Sequence, residues 1–207
     1  MASDLPDVYV RLKDLKGECR DDHHLGDDGW VQIKGFTFGF GLKGGSWADA
    51  AKNAGAAAKG AGGKAGSSGA AKGKGGPTGG AAANEGPLDF PPVQLTKSLD
   101  LASASIWKDK CHSGEPIAQV ELEACRYGGT DRGNFKIPFL RLVFEEVYVE
   151  SISLGLSNDE LPAETITFTY DRVRMESLWT DNETGNRLVD RPSRAGWDKK
   201  NQKEWLG

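Results

Sequence analysis

Three glycines occur at the spacing that nucleotide-binding loops use. Gly39, Gly41 and Gly44 form a G-x-G-x-x-G pattern directly after a predicted strand. In a dinucleotide-binding fold, such glycines let a pyrophosphate approach the first turn of a helix. Here the pattern leads into a low-complexity stretch, and no acidic residue follows at the expected distance. We therefore interpret these glycines as the opening of a flexible loop, and we predict no cofactor.

A second segment carries residue types that bind metal ions. The run DDHHLGDDG, from Asp21 to Gly29, contains His23, His24 and four aspartates. Adjacent histidines point in different directions on most backbones, and no ligand spacing in the sequence completes a site. Acidic turns of this kind are usually solvated loops between strands. The sequence therefore predicts a solvated loop and no metal site.

Support for catalysis is weaker still. The sequence has no G-x-S-x-G elbow that would expose a nucleophilic serine. His112 lies near the predicted end of a helix, where its ring can meet free carbonyl groups. Cys111 falls on that helix and Cys125 within a predicted strand, and both are interpreted as packing residues. We predict that the protein is not an enzyme.

The end of the chain mixes tryptophan with basic residues. Trp197 is followed closely by Lys199 and Lys200. Such a mixture can stack on bases and neutralise phosphates, and it is equally typical of protein interfaces. The net charge of −4 favours the protein interface and disfavours a nucleic-acid partner.

The elements that position these residues are mostly strands. Alternating apolar and polar residues predict strands at Asp7–Lys13, Trp30–Phe40, Ala118–Cys125 and Glu164–Thr180, and two more between Phe135 and Leu154 that divide near Glu145 and Glu146. Gly35 and Gly39 indicate bulges or close backbone approach within the second of these strands. In the last strand, Ile166, Phe168 and Tyr170 share one side.

One helix is predicted, from Leu99 to His112. Ser98 or Asp100 can cap its start, and Gly114 can end it. Many strands with a single helix imply a mainly β fold, either a small barrel or a sandwich. A parallel α/β fold is excluded, because it would need about one helix between successive strands.

The chain is predicted to form one domain over residues 1–180, with an insertion at residues 43–86 and a polar extension at residues 181–207 that is basic from residue 187 onward. The insertion has 44 residues, of which 14 are glycine and 14 alanine, so it buries too little apolar surface to offset its ordering entropy. Its candidate contact residues are Lys43, Trp47, Lys52, Lys59, Lys64, Lys72 and Lys74.

The sequence also makes predictions about location. The first twelve residues lack the apolar region of a signal peptide, and no run approaches the ~20 apolar residues of a membrane span. Three cysteines, an odd number, fit a reducing cytoplasm better than a disulfide framework. We expect synthesis in the cytoplasm, no membrane insertion, and export only by a route without a leader.

Taken in order, these segments resemble the haemolysin-coregulated protein (Hcp) family of type VI secretion tube subunits. The opening DVYVRLKDLKGEC resembles the family's first strand and its turn, here Lys16, Gly17 and Glu18. The stretch LTKSLDLASASIWKDKCHSG resembles the family's helix entry. Its matching residues are Thr96, Lys97, Asp100 and Ser103.

The resemblance implies a small antiparallel β-barrel with one flanking helix, assembled as a homohexameric ring. Rings of the family stack into a tube that a contractile sheath expels, with a spike at its tip and a baseplate. The resemblance further implies that the insertion contributes to ring stacking, that small effector proteins travel in the lumen, and that the protein is secreted outside the cell or into target cells.

Two other functions stay open at this point. The chain could be a specialised cargo or effector version of such a tube protein, in which the insertion or the extension delivers a toxic or binding activity. It could also be a nucleic-acid-binding module that uses its basic tail.

Overall fold

A computed structural model describes residues 6–21, 23–42, 88–111, 113–128, 135–156, 162–179, 181 and 193–207. The chain divides into two compact units. One comprises Met1–Phe36 with Pro92–Gly207, and the other comprises Thr37–Pro91. The predicted insertion at residues 43–86 lies outside the described residues.

The described part of the chain is built mainly from strands. In chain order the elements are β1 (Asp7–Leu12), β2 (Arg20–Asp21), β3 (His24–Leu25), a 3₁₀ turn (Gly26–Asp28), β4 (Trp30–Thr37), β5 (Gly41–Leu42), β6 (Leu88–Asp89), β7 (Val93–Ser98), α1 (Leu101–Ser105), a π-helical turn (Ile106–Cys111), β8 (Ile117–Gly128), β9 (Phe135–Gly155), β10 (Ala163–Ser177), β11 (Ser193–Asp198) and β12 (Lys203–Glu204).

Six of these strands close into an antiparallel barrel, in the order β10-β7-β4-β1-β8-β9. The ring of strands closes because β9 pairs with β10 as well as with β8. The predicted mainly β fold and the barrel implied by the resemblance are therefore confirmed.

The barrel interior is filled by alternating apolar residues. Val10, Leu122 and Phe144 are each fully buried. The ring centroid of Phe144 lies 5.4 Å from that of Phe168 and 4.9 Å from that of Tyr170, in edge and tilted arrangements. Ile166, Phe168 and Tyr170 face this core together, as the alternation in the sequence predicted.

Strand β9 corrects one prediction. Residues from Phe135 to Leu154 belong to one strand of 21 residues rather than two. The predicted division point is nevertheless irregular, because Glu146 has a φ of 52°. Pairing with β10 continues on both sides of that position, from Tyr148 to Glu145, and keeps the strand unbroken.

The helix is also shorter and less regular than predicted. Regular α-helix covers only Leu101–Ser105, and the next six residues form a π-helical turn. Asp100 caps the start, as one of the two predicted candidates. Gly114 has a φ of 69° and donates its N–H to the Lys110 carbonyl at 3.1 Å, which matches its predicted role in ending the helix. No described helix is long and apolar enough to cross a membrane.

The predicted strand from Trp30 to Phe40 ends earlier, at Thr37. Of the two alternatives predicted for its glycines, close backbone approach is not observed, since a Cβ added at Gly35 or Gly39 would meet no atom of the described residues within 4 Å. The alternative of a bulge stays a prediction. Tyr9 in β1 also departs from the half-buried pattern, since it is 1% exposed on the outward side of the barrel.

The end of the polar extension belongs to the sheet. Strand β11 pairs with β10 over Ser193–Asp198, and β12 pairs with β11. Asp198 is only 2% exposed. The extension therefore packs on the barrel at residues 193–207, while the predicted boundary at residue 180 stays a prediction.

The second unit contributes few described residues. Its two short strands, β5 and β6, pair with each other through Gly41 and Asp89. The ring of Phe40 lies 6.4 Å from that of Phe38 and 5.9 Å from that of Phe90. A small aromatic cluster therefore accompanies this hairpin-like pairing.

We predict that Gly17→Ala destabilises the fold by about 2 kcal/mol or more, because a Cβ at this position would overlap the backbone carbonyl of Trp30. Urea unfolding followed by tryptophan fluorescence measures the change. The matched control is Gly35→Ala, which has open space around it and should be neutral or slightly stabilising. Equal effects of the two substitutions would contradict this account of the turn.

Candidate functional site

A buried ion cluster lies where β7 leads into α1. Lys97 is fully buried and stands directly opposite Glu164 in the register of β7 and β10. Its Nζ lies 2.8 Å from Glu164 Oε2 and 2.6 Å from Asp100 Oδ1. We call Lys97, Asp100, Ser103 and Glu164 the Lys97 cluster.

Ser103 links the charges of this cluster to the helix. Its Oγ accepts a hydrogen bond from Lys97 Nζ at 2.7 Å and donates one to Glu164 Oε2 at 2.6 Å. It also accepts from the Asp100 N–H, while Asp100 Oδ1 accepts from the Ser103 N–H, each at 3.2 Å. The reciprocal pair is a capping box, so one cluster fixes the start of α1 and joins β7 to β10.

The remaining residues of the family motifs lie on the turn after β1 and on β7. Glu18 Oε1 accepts the Leu101 N–H at 3.1 Å, so the turn after β1 also holds the start of α1. Lys16 is exposed, and Gly17 donates its N–H to the Gly26 carbonyl at 2.9 Å. Thr96 is half-buried on the neighbouring position of β7, opposite Thr165.

A second polar cluster lies under the β2–β3 turn, and it corrects the prediction of a solvated loop. His23 is exposed, but His24 is only 3% exposed. His24 Nδ1 lies 3.0 Å from Asp21 Oδ1, and its Nε2 lies 3.0 Å from Glu123 Oε2. We call His24, Asp21, Glu123 and Cys125 the His24 cluster.

Aromatic rings hold His24 in place. The Tyr9 ring stacks on it with a centroid distance of 4.0 Å and an angle of 8°. Trp30 meets it edge-on at 4.6 Å. The ring orientation of His24 is therefore set by packing as well as by its two carboxylate partners.

The electrostatics of this cluster favour a charged imidazole. Burial alone would lower the pKa of His24, but the hydrogen bonds to Glu123 and Asp21 raise the pKa above its ordinary value. Burial likewise opposes ionisation of Glu123, yet its bonds to His24 and Arg141 hold the pKa below its usual range. Burial beside these carboxylates raises the pKa of Cys125 to about 12, so Cys125 is a poor nucleophile in this setting.

Lys136 supplies a positive charge between the carboxylates of Asp7 and Asp21, next to the Tyr9 hydroxyl. Its Nζ lies 2.6 Å from Asp21 Oδ2 and 3.0 Å from Asp7 Oδ2, and it also contacts the Tyr9 hydroxyl. An open groove of about 820 Å³ begins at these residues and runs past Cys19 and Asp100. Charged residues of both signs line this groove, and three of them, Asp7, Asp21 and Lys136, pair with one another.

Exposed apolar side chains lie near the end of the β9–β10 pair at which Gly155 stands opposite Ala163. Leu154 is 59% exposed and Leu156 is 76% exposed. Leu99 and Leu101 are also more than half exposed, and the Leu99 N–H bonds to the carbonyl of Pro162, just before β10. These large apolar side chains lie near the same strand ends, a feature typical of protein contact surfaces.

Two of the three predicted contact residues of the tail make contacts within the fold. Trp197 is half-buried in β11, and Lys199 Nζ lies 4.5 Å from the centre of the Tyr170 ring. Lys200 is exposed. The candidate residues of the insertion, from Lys43 to Lys74, lie outside the described residues, so their role in stacking stays a prediction.

Sequence reasoning missed the two partners that make these clusters. Glu123 stands at a polar position of β8, which predicts exposure to solvent, yet it is 5% exposed. Glu164 is in phase with Ile166 and Phe168 on the inward face of β10 and is 3% exposed. Glu123 is 99 residues from His24. The sequence signal for the first pair is that Lys97 is in phase with Val93 and Leu95, as Glu164 is with Ile166, so both charges fall on the apolar face of their strands.

The described strands thus form a closed β-barrel domain with a flanking helical segment and two buried ion clusters. The family model described as "Type VI secretion system effector, Hcp" matches residues 9–176. The chain belongs to this family, as its sequence motifs suggested.

Several solved structures share the fold of this chain. A structure described as a type six secretion system protein has a TM-score of 0.69 and 23% identity, covering 97% of this chain and 99% of the other. Hcp1 from Salmonella typhimurium has a TM-score of 0.62 and 16% identity, with 97% and 99% coverage. Hcp3 from Pseudomonas aeruginosa has a TM-score of 0.52 and 14% identity, with 94% and 97% coverage. Among curated proteins, no match is found.

We predict that Lys97→Met destabilises the protein by about 3–5 kcal/mol, because it leaves the buried Glu164 and Asp100 carboxylates without their cation. Chemical denaturation measures the loss. Lys34→Met in β4 is the control, since Lys34 is exposed and its replacement should change stability by less than about 0.5 kcal/mol.

A double variant separates the charge from the packing. Combining Lys97→Met with Glu164→Met removes the main unpaired charge, so it should recover part of the stability lost in the single variant. If the single variant loses less than about 1 kcal/mol, or if the double variant is simply additive, the ion cluster does not hold β7 to β10.

We predict that β11 and β12 lose protection from hydrogen exchange at low pH. Hydrogen bonds from the Asn201 side chain and backbone, with Arg172 beside them, lower the pKa of Asp198 to about 2. A carboxyl whose pKa is lowered in the folded state stabilises that state above its unfolded pKa, near 4, and this support is lost as pH falls towards 2.

Hydrogen exchange of β11 and β12, corrected for the intrinsic rate at each pH, should therefore show falling protection between about pH 4 and pH 2. Asp198→Asn should weaken that protection already at pH 6 and flatten the acid dependence. A wild-type profile with the same shape as that of the variant would contradict the role of Asp198.

Proposed function

We propose that the chain is a structural tube subunit of a type VI secretion system, whose activity is its own assembly. In this proposal, six copies form a ring and rings stack into the inner tube that sheath contraction expels. Membership of the Hcp family supports the secretion role. The observation that carries the assembly step is a strand edge that has no strand partner among the described residues, with apolar side chains beside it.

That edge belongs to the last part of β9. Up to Val147 the strand pairs with β8 on one side and β10 on the other. From Tyr148 to Gly155 it pairs with β10 alone among the described strands. Backbone donors and acceptors on the other side of this segment lack a strand partner in the part of the chain that the structure describes, and such an edge is a template for a strand of another chain.

The side chains along this segment fit a protein partner. Tyr148 is 41% exposed, and Leu154 and Leu156 are exposed still further. A second copy of the chain is the partner we propose. A contact between two different faces of identical subunits closes into a ring around one axis and, along that axis, continues as a filament.

The remaining partners follow from this role. The proposed tube contacts a contractile sheath, a spike and a baseplate, and its lumen carries small effector proteins. The protein would be made in the cytoplasm and leave the cell through the apparatus into the medium or a target cell. The insertion at residues 43–86 is proposed to contribute to ring stacking.

A nucleic-acid-binding role receives little support from the tail. Within the tail, the Arg194 guanidinium pairs with buried Glu176 of β10, and Lys199 Nζ lies 4.5 Å from the centre of the Tyr170 ring. These two cations help to hold the C-terminal strands to β10, whereas Lys200 and Lys203 are exposed. The net charge of −4 further disfavours a nucleic-acid partner.

We predict that Leu154→Glu combined with Leu156→Glu prevents assembly without unfolding the subunit, because both side chains are exposed and a charge resists burial against a partner. Light scattering after size exclusion should give a mass near six chains for the wild type and near one chain for the variant.

Leu206→Glu is the matched control, since Leu206 is 44% exposed and lies beside Arg174, towards the other end of β10. It should assemble as the wild type does. A wild-type monomer at high concentration would remove the tube proposal, and a six-chain mass for the double variant would remove this edge as the contact.

A further inference from the structure

We propose that the His24 cluster is a binding site for a divalent transition-metal ion of the zinc class, with His24, Glu123 and Cys125 as ligands. One ligand atom from each of the three residues lies within 4.8 Å of the other two. All three residues are at most 5% exposed. Imidazole nitrogen, thiolate sulfur and carboxylate oxygen are the donors that zinc prefers.

The partners of His24 match those of a metal-bound histidine. Asp21 Oδ1 lies 3.0 Å from Nδ1, which directs Nε2 towards Glu123 and the interior of the cluster. Metal-binding histidines almost always donate the N–H of their other ring nitrogen to such an acceptor. This hydrogen bond fixes the tautomer of the ring and raises the basicity of the ligating nitrogen. Stacking on Tyr9 fixes the plane of the ring as well.

Glu123 is oriented in the same way. Arg141, directly opposite in the register of β8 and β9, donates to Glu123 Oε1 through its Nε at 2.6 Å. The second oxygen, Oε2, is left facing His24. Cys125 stands two residues along β8 on the same face of the strand, so its sulfur joins this side of the cluster.

The charge balance permits an ion at this buried position. The His24 ring lies between the Asp21 and Glu123 carboxylates. A dication held by Nε2, Oε2 and the Cys125 thiolate would be balanced by these two carboxylates and the thiolate, which limits the cost of burying its charge. The protons that the ion displaces from its ligands leave to solvent.

Binding requires a small movement of the β2–β3 turn. Nε2 and Oε2 are 3.0 Å apart, and ligands on a tetrahedral ion stand roughly 3.3–3.7 Å apart when the bonds are about 2.0–2.3 Å long. His24 lies on a strand of two residues, which can shift by this amount without breaking the barrel. Three protein ligands leave one position for water or another small ligand.

Cys125 is what distinguishes this proposal from a simple ion pair. His24, Asp21 and Glu123 alone would satisfy one another, and the thiol would then contribute only packing. A metal site needs the sulfur. Substituting Cys125 therefore separates the two explanations through a spectroscopic signal that packing does not produce.

The test uses the purified full chain, freed of metal with a chelator and titrated with Zn²⁺ against a chromophoric competitor, and in parallel with Co²⁺. We expect one ion per chain and a thiolate-to-cobalt charge-transfer band. Cys125→Ser should abolish the band, and Asp21→Asn should weaken Zn²⁺ affinity about 10–100-fold while keeping the band. Asp21→Asn keeps all three ligands, so it serves even if Cys125→Ser folds poorly.

His23→Asn and Cys19→Ser are the matched controls, since they replace the neighbouring exposed histidine and a free cysteine outside the ligand set. Both should bind as the wild type does. Absence of stoichiometric binding, absence of the cobalt band, or binding that survives Cys125→Ser but is lost in a control would show an adventitious ion only and overturn the proposal.

Discussion

Strand β10 closes the barrel by hydrogen-bonding to β7 along one edge and to β9 along the other, and the rest of the structure depends on this double pairing. The two pairings share the residues from Ala163 to Phe168. Without them, the apolar faces of six strands would have no common interior. Because β9 extends past the end of β8, the same closure also leaves the strand edge that we propose for assembly.

Buried charges stabilise the structure at two places, of which the first belongs to this closure. The Lys97 cluster joins β10 and β7 where the chain leaves the sheet for α1, and the His24 cluster holds the β2–β3 turn against β8. In each case the charges are paired and hydrogen-bonded, which a low-dielectric interior requires. Such pairs add little net stability against an apolar core, but removing one partner is costly, so they favour one arrangement of the loops over others.

Sequence patterns predicted the parts of the fold that depend on local periodicity. The alternation of Ile166, Phe168 and Tyr170 located the core face of β10, and Asp100 and Gly114 located the limits of the helical segment. The patterns could not predict the burial of His24, because its partner Glu123 comes from a distant strand. They also missed that β9 is continuous, since pairing with β10 outweighs the local signal of two adjacent glutamates. The pairing of β11 with β10 could not be predicted either, because a short polar strand has no hydrophobic periodicity of its own.

Cryo-electron microscopy of the purified full chain tests the central claim most directly. The account predicts six-fold rings, alone or stacked, in which the outer edge of β9 between Tyr148 and Gly155 lies at the contact between neighbouring copies. Monomers at high concentration, or rings in which this edge faces solvent, would contradict it.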